Sequence, residues 1–230
     1  MSLPNHIAII PDGNRRWAKT QRLNAWEGHT EGVKRFWDSS EFLHDSGINH
    51  VTYWAASYSN LKKRSKIEVS FLMKLLEEEI FKPEILERCL RNKVRVHVIG
   101  EWREFIKSKK LIESIEKIER ETAKFAKKTL NFLFAYDGQR EMLAAANAFA
   151  KSREVVTEKS LRDELWTGVL PDVDLVIRTG GEPHWSAGFM MWLTANTEFY
   201  FTETLWPAFK STEIKKAIDL FDRRERRLGK

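Results

Sequence analysis

The apolar positions of the chain alternate between short continuous runs and longer runs with a helical period. The short runs are rich in Ile, Val, Leu and Phe and have the length of buried β-strands. They predict six strands: His6–Ile10, Val51–Ala55, Val94–Ile99, Leu130–Ala135, Asp174–Ile177 and Phe199–Phe201. The helical runs predict helices at Gly28–His44, from Ser65 (with Glu68 as a capping box) to about Lys82, over Leu111–Ile118, at Arg140–Lys151 and at Lys210–Arg227.

This order of elements predicts the fold class. Strands that alternate with helices are typical of an α/β fold, with a mainly parallel central sheet, here of about six strands, flanked by helices. The 230 residues suit one domain that spans residues 1–230, since the sequence has no repeat, low-complexity tract or linker. In such sheets ligands bind beyond the carboxyl ends of the strands.

Charge and cysteine content narrow the class of function. The net charge is +6, but most basic residues are interleaved with acidic ones, as over Glu113–Lys128, which argues against nucleic-acid binding. The excess suits a small anionic ligand or peripheral association with an anionic membrane surface. The single cysteine, Cys89, excludes an intrachain disulfide and a cysteine-rich metal site. Without a membrane-length apolar run or a signal-peptide pattern, we expect a cytoplasmic protein.

The segment Asp12–Trp17, with the sequence DGNRRW, directly follows the first predicted strand. Asp-Gly alone is commonly no more than a turn. Here, however, a buried strand ends, a glycine permits close approach of a ligand, and a helix begins with free N–H groups, which is an anion-binding arrangement. Arg15 and Arg16 add charge-assisted bonds to phosphate. The carboxylate of Asp12 can hold Mg²⁺, which needs only one or two carboxylates beside phosphate oxygens and water.

Three further polar stretches accompany strands or helix starts. His29 follows Gly28 at the predicted start of a helix, Ser57–Arg64 follows the second strand, and Arg178 enters a glycine-rich loop after the fifth. Each stretch alone also suits an ordinary loop, and the basic chain end at Arg223–Gly229 alone suits a helix C-terminus. Because cations, hydroxyls and amides recur at strand ends, the composite predicts a substrate with one or two diphosphates.

Together these stretches resemble the cis-prenyltransferase family, the group that includes undecaprenyl diphosphate synthase. The similarity runs nearly end to end, in the same order and with similar spacing. It implies a homodimeric, Mg²⁺-dependent enzyme with an allylic diphosphate as donor and isopentenyl diphosphate as acceptor. The prenyl group is transferred with formation of a cis double bond, and the donor tail lies in an apolar tunnel between sheet and helices. No nucleic acid takes part.

The resemblance also implies roles for individual residues. Asp12, Ser57 and Asn60 are the implied catalytic residues, and Asp12 and Glu198 the implied metal ligands, with Glu198 reaching the site across a dimer interface. The implied substrate-binding residues are Gly13, Asn14, Arg15, Arg16, Trp17, His29, Lys63, Arg178, His184, Ser186, Arg227 and Gly229.

The chain departs from the family pattern on both substrate sides. Ala25 stands where the family has an arginine, Asn-Trp-x-Arg becomes Asn60-Leu61-Lys62-Lys63, and His184 replaces an acceptor-side arginine in a loop one residue longer. A lost bond to a charged group costs about 1.5–3 kcal/mol. His184 is a cation only when protonated, and Lys63 keeps charge without the bidentate fork of arginine.

Three hypotheses about function follow. The first is elongation with isopentenyl diphosphate. The second keeps the allylic donor but uses another acceptor, an alcohol or a second prenyl compound, as the altered acceptor loop suggests. The third, a non-catalytic partner subunit, is disfavoured because Asp12 is present. Phe132 and Phe134 alternate along the fourth strand, so we expect both to face one side of the sheet, where bulky side chains would keep products short or simply pack the core.

Overall fold

A computed structural model describes residues 3–152 and 155–223. Six parallel strands form one sheet in the order β3-β4-β2-β1-β5-β6. The strands are β1 (His6–Ile10), β2 (His50–Ala56), β3 (Val94–Ile99), β4 (Lys128–Phe134), β5 (Leu175–Arg178) and β6 (Glu198–Phe201). The α/β class and the six predicted strands are therefore confirmed, with ends that differ by one or two residues.

Ten α-helices connect the strands within the described residues. They are α1 (Asn14–Thr20), α2 (Ala25–Asp45), α3 (Tyr58–Lys63), α4 (Lys66–Leu75), α5 (Pro83–Asn92), α6 (Trp102–Phe105), α7 (Lys109–Thr122), α8 (Gly138–Ser152), α9 (Glu158–Glu164) and α10 (Ser211–Arg223). A π-helical turn covers Leu76–Ile80 and a 3₁₀ turn Trp206–Ala208. None of the described helices is both long and apolar enough to cross a membrane.

Both faces of the sheet are buried, which explains the continuous apolar runs. All five residues of β1 are inaccessible or nearly so. On one face Ile7 and Phe132 join a large core with the main helices, and on the other Ala8 and Leu133 join a second core with residues 165–193. A strand buried on both sides shows no polar alternation, because neither of its faces meets water.

Several helix boundaries differ from the sequence expectation, and two of them have a clear local cause. Helix α2 begins at Ala25 and not at Gly28, because Asn24 is its N-cap and Glu27 completes a capping box. The helix expected to run from Ser65 to about Lys82 ends its α-helical part at Leu75. It continues as the π-helical turn, and a new helix starts with proline at its first position.

Candidate active site

A polar cleft of about 460 Å³ lies at the carboxyl ends of β2, β1 and β5, which are neighbours in the sheet. Its chemical lining comes from the three segments that follow these strands. Among the described residues, four arginines and one carboxylate line it: Arg15, Arg16, Arg64, Arg178 and Asp12. A surplus of permanent cations in a concave site attracts multiply charged anions, as the sequence predicts.

The turn between β1 and α1 presents backbone N–H groups to this cleft. Gly13 adopts φ 111°, and a Cβ there would lie 2.8 Å from a methyl carbon of Leu205, so only glycine fits. Helix α1 starts at Asn14, and the first intrahelical bond runs from the Trp17 N–H to the Gly13 carbonyl. The preceding N–H groups of α1 have no partner in the helix, so they can receive a phosphate.

The Asp12 carboxylate lies between two arginines, Arg16 of α1 and Arg178 of β5. Its Oδ1 is 3.1 Å from Arg16 Nη2, and its Oδ2 is 3.3 Å from Arg178 Nη2. Two hydrogen bonds fix its backbone, since the Asp12 N–H donates to Thr179 Oγ1 at 2.9 Å and the Thr179 hydroxyl donates to the Asp12 carbonyl at 2.7 Å. The carboxylate therefore connects the β1 and β5 sides of the cleft.

Arg178 is almost fully buried and organises the loop after β5. Its Nη1 donates to Ser186 Oγ at 2.5 Å and to the His184 carbonyl at 2.9 Å. Its Nε is buried without a hydrogen-bond partner among the described residues. Ser186 Oγ also lies 2.9 Å from His184 Nε2, and His184 Nδ1 lies 3.6 Å from Glu182 Oε2.

The His29 imidazole lines the cleft from α2. Burial, together with the nearby charges of Arg64 and Arg15, lowers the pKa of His29 to about 4, so the ring is neutral at pH 7. Its Nε2 is buried without a partner. The expectation that His29 sits at a helix N-terminus is wrong, because α2 starts four residues earlier and His29 lies in its second turn. It reaches the cleft by its side chain and not by a free N–H.

Glu68 neutralises part of the cationic surface from α4. Its Oε1 lies 3.3 Å from Arg64 Nε and 3.8 Å from Arg15 Nη1. The capping box predicted for Ser65 and Glu68 is only half formed, since Ser65 accepts the Glu68 N–H while the Glu68 carboxylate turns to the arginines. Burial lowers the pKa of Arg64, and the neighbouring charge of Glu68 opposes that effect.

A narrow apolar cavity of about 100 Å³ adjoins the cleft. Asn14 and His29 line both spaces, so the cavity opens towards the polar cleft. Phe132 and Phe134 line it together, which confirms that both face one side of the sheet. Cleft and cavity together accommodate a molecule with an anionic head and an apolar tail.

The sequence and the fold match one known family. The model of the undecaprenyl diphosphate synthase family matches residues 10–229. An isoprenyl transferase of Fusobacterium nucleatum is 41% identical over 99% of this chain and 96% of its own length. A tritrans,polycis-undecaprenyl-diphosphate synthase (geranylgeranyl-diphosphate specific) of Pyrococcus horikoshii is 38% identical over 99% of this chain and 88% of its own. The chain belongs to the family of isoprenyl transferases and undecaprenyl diphosphate synthases.

A solved structure of the family shares nearly the whole fold. The lavandulyl diphosphate synthase of Lavandula x intermedia, solved in complex with dimethylallyl diphosphate, superimposes with a TM-score of 0.90 over 99% of both chains at 29% identity. The resemblance stated from the motifs is therefore confirmed for the family and for the fold.

Most residues that the family pattern implied converge on the cleft. The lining includes Asp12, Gly13, Asn14, Arg15, Arg16, His29, Ser57, Asn60, Arg178 and Ser186. Trp17, Lys63 and His184 do not line it. The Lys63 side chain is exposed and lies outside the cleft, where the adjacent Arg64 supplies a cation. Arg227 and Gly229 lie outside the described residues.

Glu198 does not lie near Asp12 within one chain. In the β5–β6 register Glu198 pairs with Leu175, while Arg178, at the cleft, pairs with Phe201. Three residues of strand place Glu198 about 10 Å from the carboxyl edge. A shared metal site with Asp12 therefore requires a second copy of the chain, as the resemblance implies.

Two further residues shape the site without having been singled out. Arg64 forms its ion pair with Glu68 at the i,i+4 spacing, a signal visible in the sequence. Asp137 follows β4 and accepts hydrogen bonds from the Ser59 N–H at 3.1 Å and the Ser59 hydroxyl at 2.5 Å. Ser59 belongs to α3, whose N-cap is Ser57, so Asp137 fixes the helix that also carries Asn60.

The donor set suits Mg²⁺ only in company with the substrate. Among the described residues no group of three or more His, Cys, Asp or Glu side chains could hold a metal by itself. Asp12 offers one partly exposed carboxylate at the centre of an anion site. Because Mg²⁺ commonly binds one or two carboxylates and completes its shell with phosphate oxygens and water, the residues fit this ion.

Proposed function

We propose that the protein is a magnesium-dependent prenyltransferase that moves a prenyl group from an allylic diphosphate to isopentenyl diphosphate and forms a cis double bond. The observation that carries this proposal is the four-arginine cleft that opens into an apolar cavity. The family membership and the names of the bacterial and archaeal relatives support it.

The donor diphosphate would lie at the start of α1, held by Arg15, Arg16 and the free N–H groups, with a hydrogen bond from neutral His29. Its tail would enter the apolar cavity beside Phe132 and Phe134. The acceptor diphosphate would bind Arg178, beside Ser186, whose hydroxyl is hydrogen-bonded within the loop. As the donor's C1–O bond breaks, its electron pair leaves with the diphosphate, and the acceptor double bond forms the new bond to C1 and releases a proton. Mg²⁺, held by Asp12, would supply positive charge for the leaving diphosphate.

The protein's own contribution is position and electrostatics. Fixed cations on both sides of Asp12 hold two anions that otherwise repel each other, and this brings the reacting carbons together. We also propose that the active form is a cytoplasmic homodimer, because a site with both Asp12 and Glu198 needs two chains, and that its basic surface can associate with anionic membranes.

A second candidate is transfer to an acceptor other than isopentenyl diphosphate. The favouring observation is the loop after β5, where a partly exposed histidine stands in place of an acceptor-side arginine. The structural neighbour with TM-score 0.90 is named for lavandulyl diphosphate and not for a polyprenyl product.

A matrix of donors and acceptors tests both candidates. Labelled allylic diphosphates of increasing length are incubated with Mg²⁺ and either isopentenyl diphosphate, a prenyl alcohol or a second allylic diphosphate, and products are read by mass spectrometry. Elongation only with isopentenyl diphosphate supports the first candidate, and transfer only to another acceptor supports the second. No product with any pair, from protein that is folded, contradicts both.

A further inference from the structure

The hydrogen bonds of the loop after β5 can pass a proton from Ser186 to His184. An arginine N–H can only donate, so Ser186 Oγ is the acceptor in its 2.5 Å contact with Arg178. The Ser186 hydroxyl proton is then free to point at His184 Nε2, 2.9 Å away. In that arrangement His184 Nε2 is an unprotonated acceptor, and the ring proton lies on Nδ1, on the side of Glu182.

Ser186 and His184 connect the cleft with the exposed surface of the protein. Ser186 lines the cleft, whereas His184 does not, and the side chains of His184 and Glu182 are 57% and 51% exposed. The Trp185 indole N–H donates to the Phe189 carbonyl at 2.7 Å and holds the loop between them. A proton that reaches Ser186 from inside the cleft therefore has a route through His184 to bulk water.

We propose that Ser186 and His184 form a proton outlet of the acceptor site. This inference rests on the proposed prenyl transfer, in which the acceptor must lose one proton for each bond formed. The acceptor's proton passes to Ser186 Oγ while Ser186 passes its own hydroxyl proton to His184 Nε2. The charge that His184 gains is stabilised by the Glu182 carboxylate at Nδ1, and the exposed ring then releases the proton to water.

The alternative role for His184 is a cation that replaces the missing arginine. That role needs a protonated ring beside Arg178, which already supplies a permanent charge on the same hydroxyl. The other charged groups that face the loop are Glu182, Glu203, whose carboxylate approaches Gly181, and Arg16, which approaches Gly180. The two roles predict opposite responses to pH, because a proton acceptor must be neutral and a diphosphate-binding histidine must be charged.

The test is the pH dependence of kcat for wild type, His184→Gln and His184→Arg, with saturating allylic diphosphate and isopentenyl diphosphate. For an outlet, wild-type kcat falls as pH is lowered from about 8 to about 5.5, the range in which histidine side chains ordinarily titrate. His184→Gln lowers kcat at pH 8 by about ten- to a hundredfold. The His184→Gln variant keeps the acceptor KM within about threefold of the wild-type value. Its kcat no longer shows the part of the decrease at acidic pH that depends on the histidine. His184→Arg behaves in the same way, because arginine cannot accept a proton.

Two variants of Ser186 that differ little in size from serine separate the proposed role from effects on folding. Ser186→Ala should lower kcat to the same extent as His184→Gln, and Ser186→Thr, which retains a hydroxyl, should lower it less. The outlet is wrong if wild-type kcat rises on acidification, or if His184→Arg equals or exceeds wild type at pH 8. If wild type forms no product from any donor and acceptor pair, the proposed transferase function fails, and the outlet fails with it.

Discussion

The narrow apolar cavity makes product length sensitive to two phenylalanines. Phe132 is 4% exposed, lines the cavity, and packs against Phe36 and Phe81 with ring centroids 4.9 and 5.4 Å away. Phe132→Ala removes about six ring carbons, and an isoprene unit has about five, so we expect room for about one additional unit if the cavity does not collapse. Phe134→Ala, on the same face, should lengthen products in the same way.

Stability limits this experiment. Truncation of a buried Phe to Ala costs about 3–5 kcal/mol, a large part of the roughly 5–15 kcal/mol that holds a domain folded. A matched control lies on the same strand. Leu133 is fully buried but belongs to the core on the opposite face of the sheet. Leu133→Ala should therefore destabilise the protein without changing the length of the product.

The assay is mass spectrometry of prenyl diphosphates made from a short allylic primer, with thermal unfolding measured in parallel. We expect longer products from Phe132→Ala and Phe134→Ala and wild-type products from Leu133→Ala. Unchanged product length in both phenylalanine variants, from folded and active protein, would refute the reasoning and leave these residues with a packing role only.

Four further predictions concern other parts of the molecule. Asp12→Ala should abolish transfer yet lower the Tm by no more than about 4 °C, because Arg178 keeps its other acceptors; near-normal turnover in magnesium buffer would contradict the assignment. Asp137→Ala should lower kcat about tenfold while Asp137→Asn, which keeps an acceptor oxygen for Ser59, stays within about threefold; equal losses would argue against positioning by hydrogen bonds. Light scattering should show a homodimer, and a fully active monomer would disprove a shared site. Acid should destabilise the protein, because burial lowers the pKa of His6 to about 4, and the unfolded chain binds the additional proton between about pH 6.5 and 4; the contribution of His6 to this loss, about 2–3 kcal/mol between pH 7 and 4.5 in urea unfolding, should disappear in His6→Gln, while the contributions of the other buried histidines remain.

The central strands were predictable because they are apolar runs buried on both sides, and the edge strand β6 was predictable from its aromatic residues although it is only partly buried. The short helices were not. Tyr58–Lys63 and Trp102–Phe105 are too brief to show a helical period, and tertiary contacts such as the bond between Asp137 and Ser59 hold the first of them. Helix α2 starts at Ala25, three residues before the predicted start, and the capping box of Asn24 and Glu27 is the sequence signal for that start.

The site was predictable as a set of strand ends but not in its contacts. Parallel strands bring their carboxyl ends to one edge, so Asp12, Ser57 and Arg178 had to meet there. The choice between Lys63 and Arg64 depends on the rotation of a six-residue helix, which no periodicity in the sequence reveals. The position of Glu198 could not be predicted from its motif. It lies at the start of β6, away from the cleft, because of the strand register.

The charges in the cleft explain why His29 is neutral and how the arginines are paired in the free protein. Four arginines line the cleft with Asp12, and a protonated His29 would add a fifth cation, but burial and the charges of Arg64 and Arg15 keep the ring uncharged. Without substrate, Glu68 pairs with Arg15 and Arg64, and Asp12 pairs with Arg16 and Arg178. A diphosphate that enters must replace these internal ion pairs, and it can do so because it brings more negative charge than one carboxylate and accepts more hydrogen bonds. The cleft is therefore arranged to bind two multiply charged heads while the free enzyme avoids unpaired buried cations, which would otherwise cost several kcal/mol.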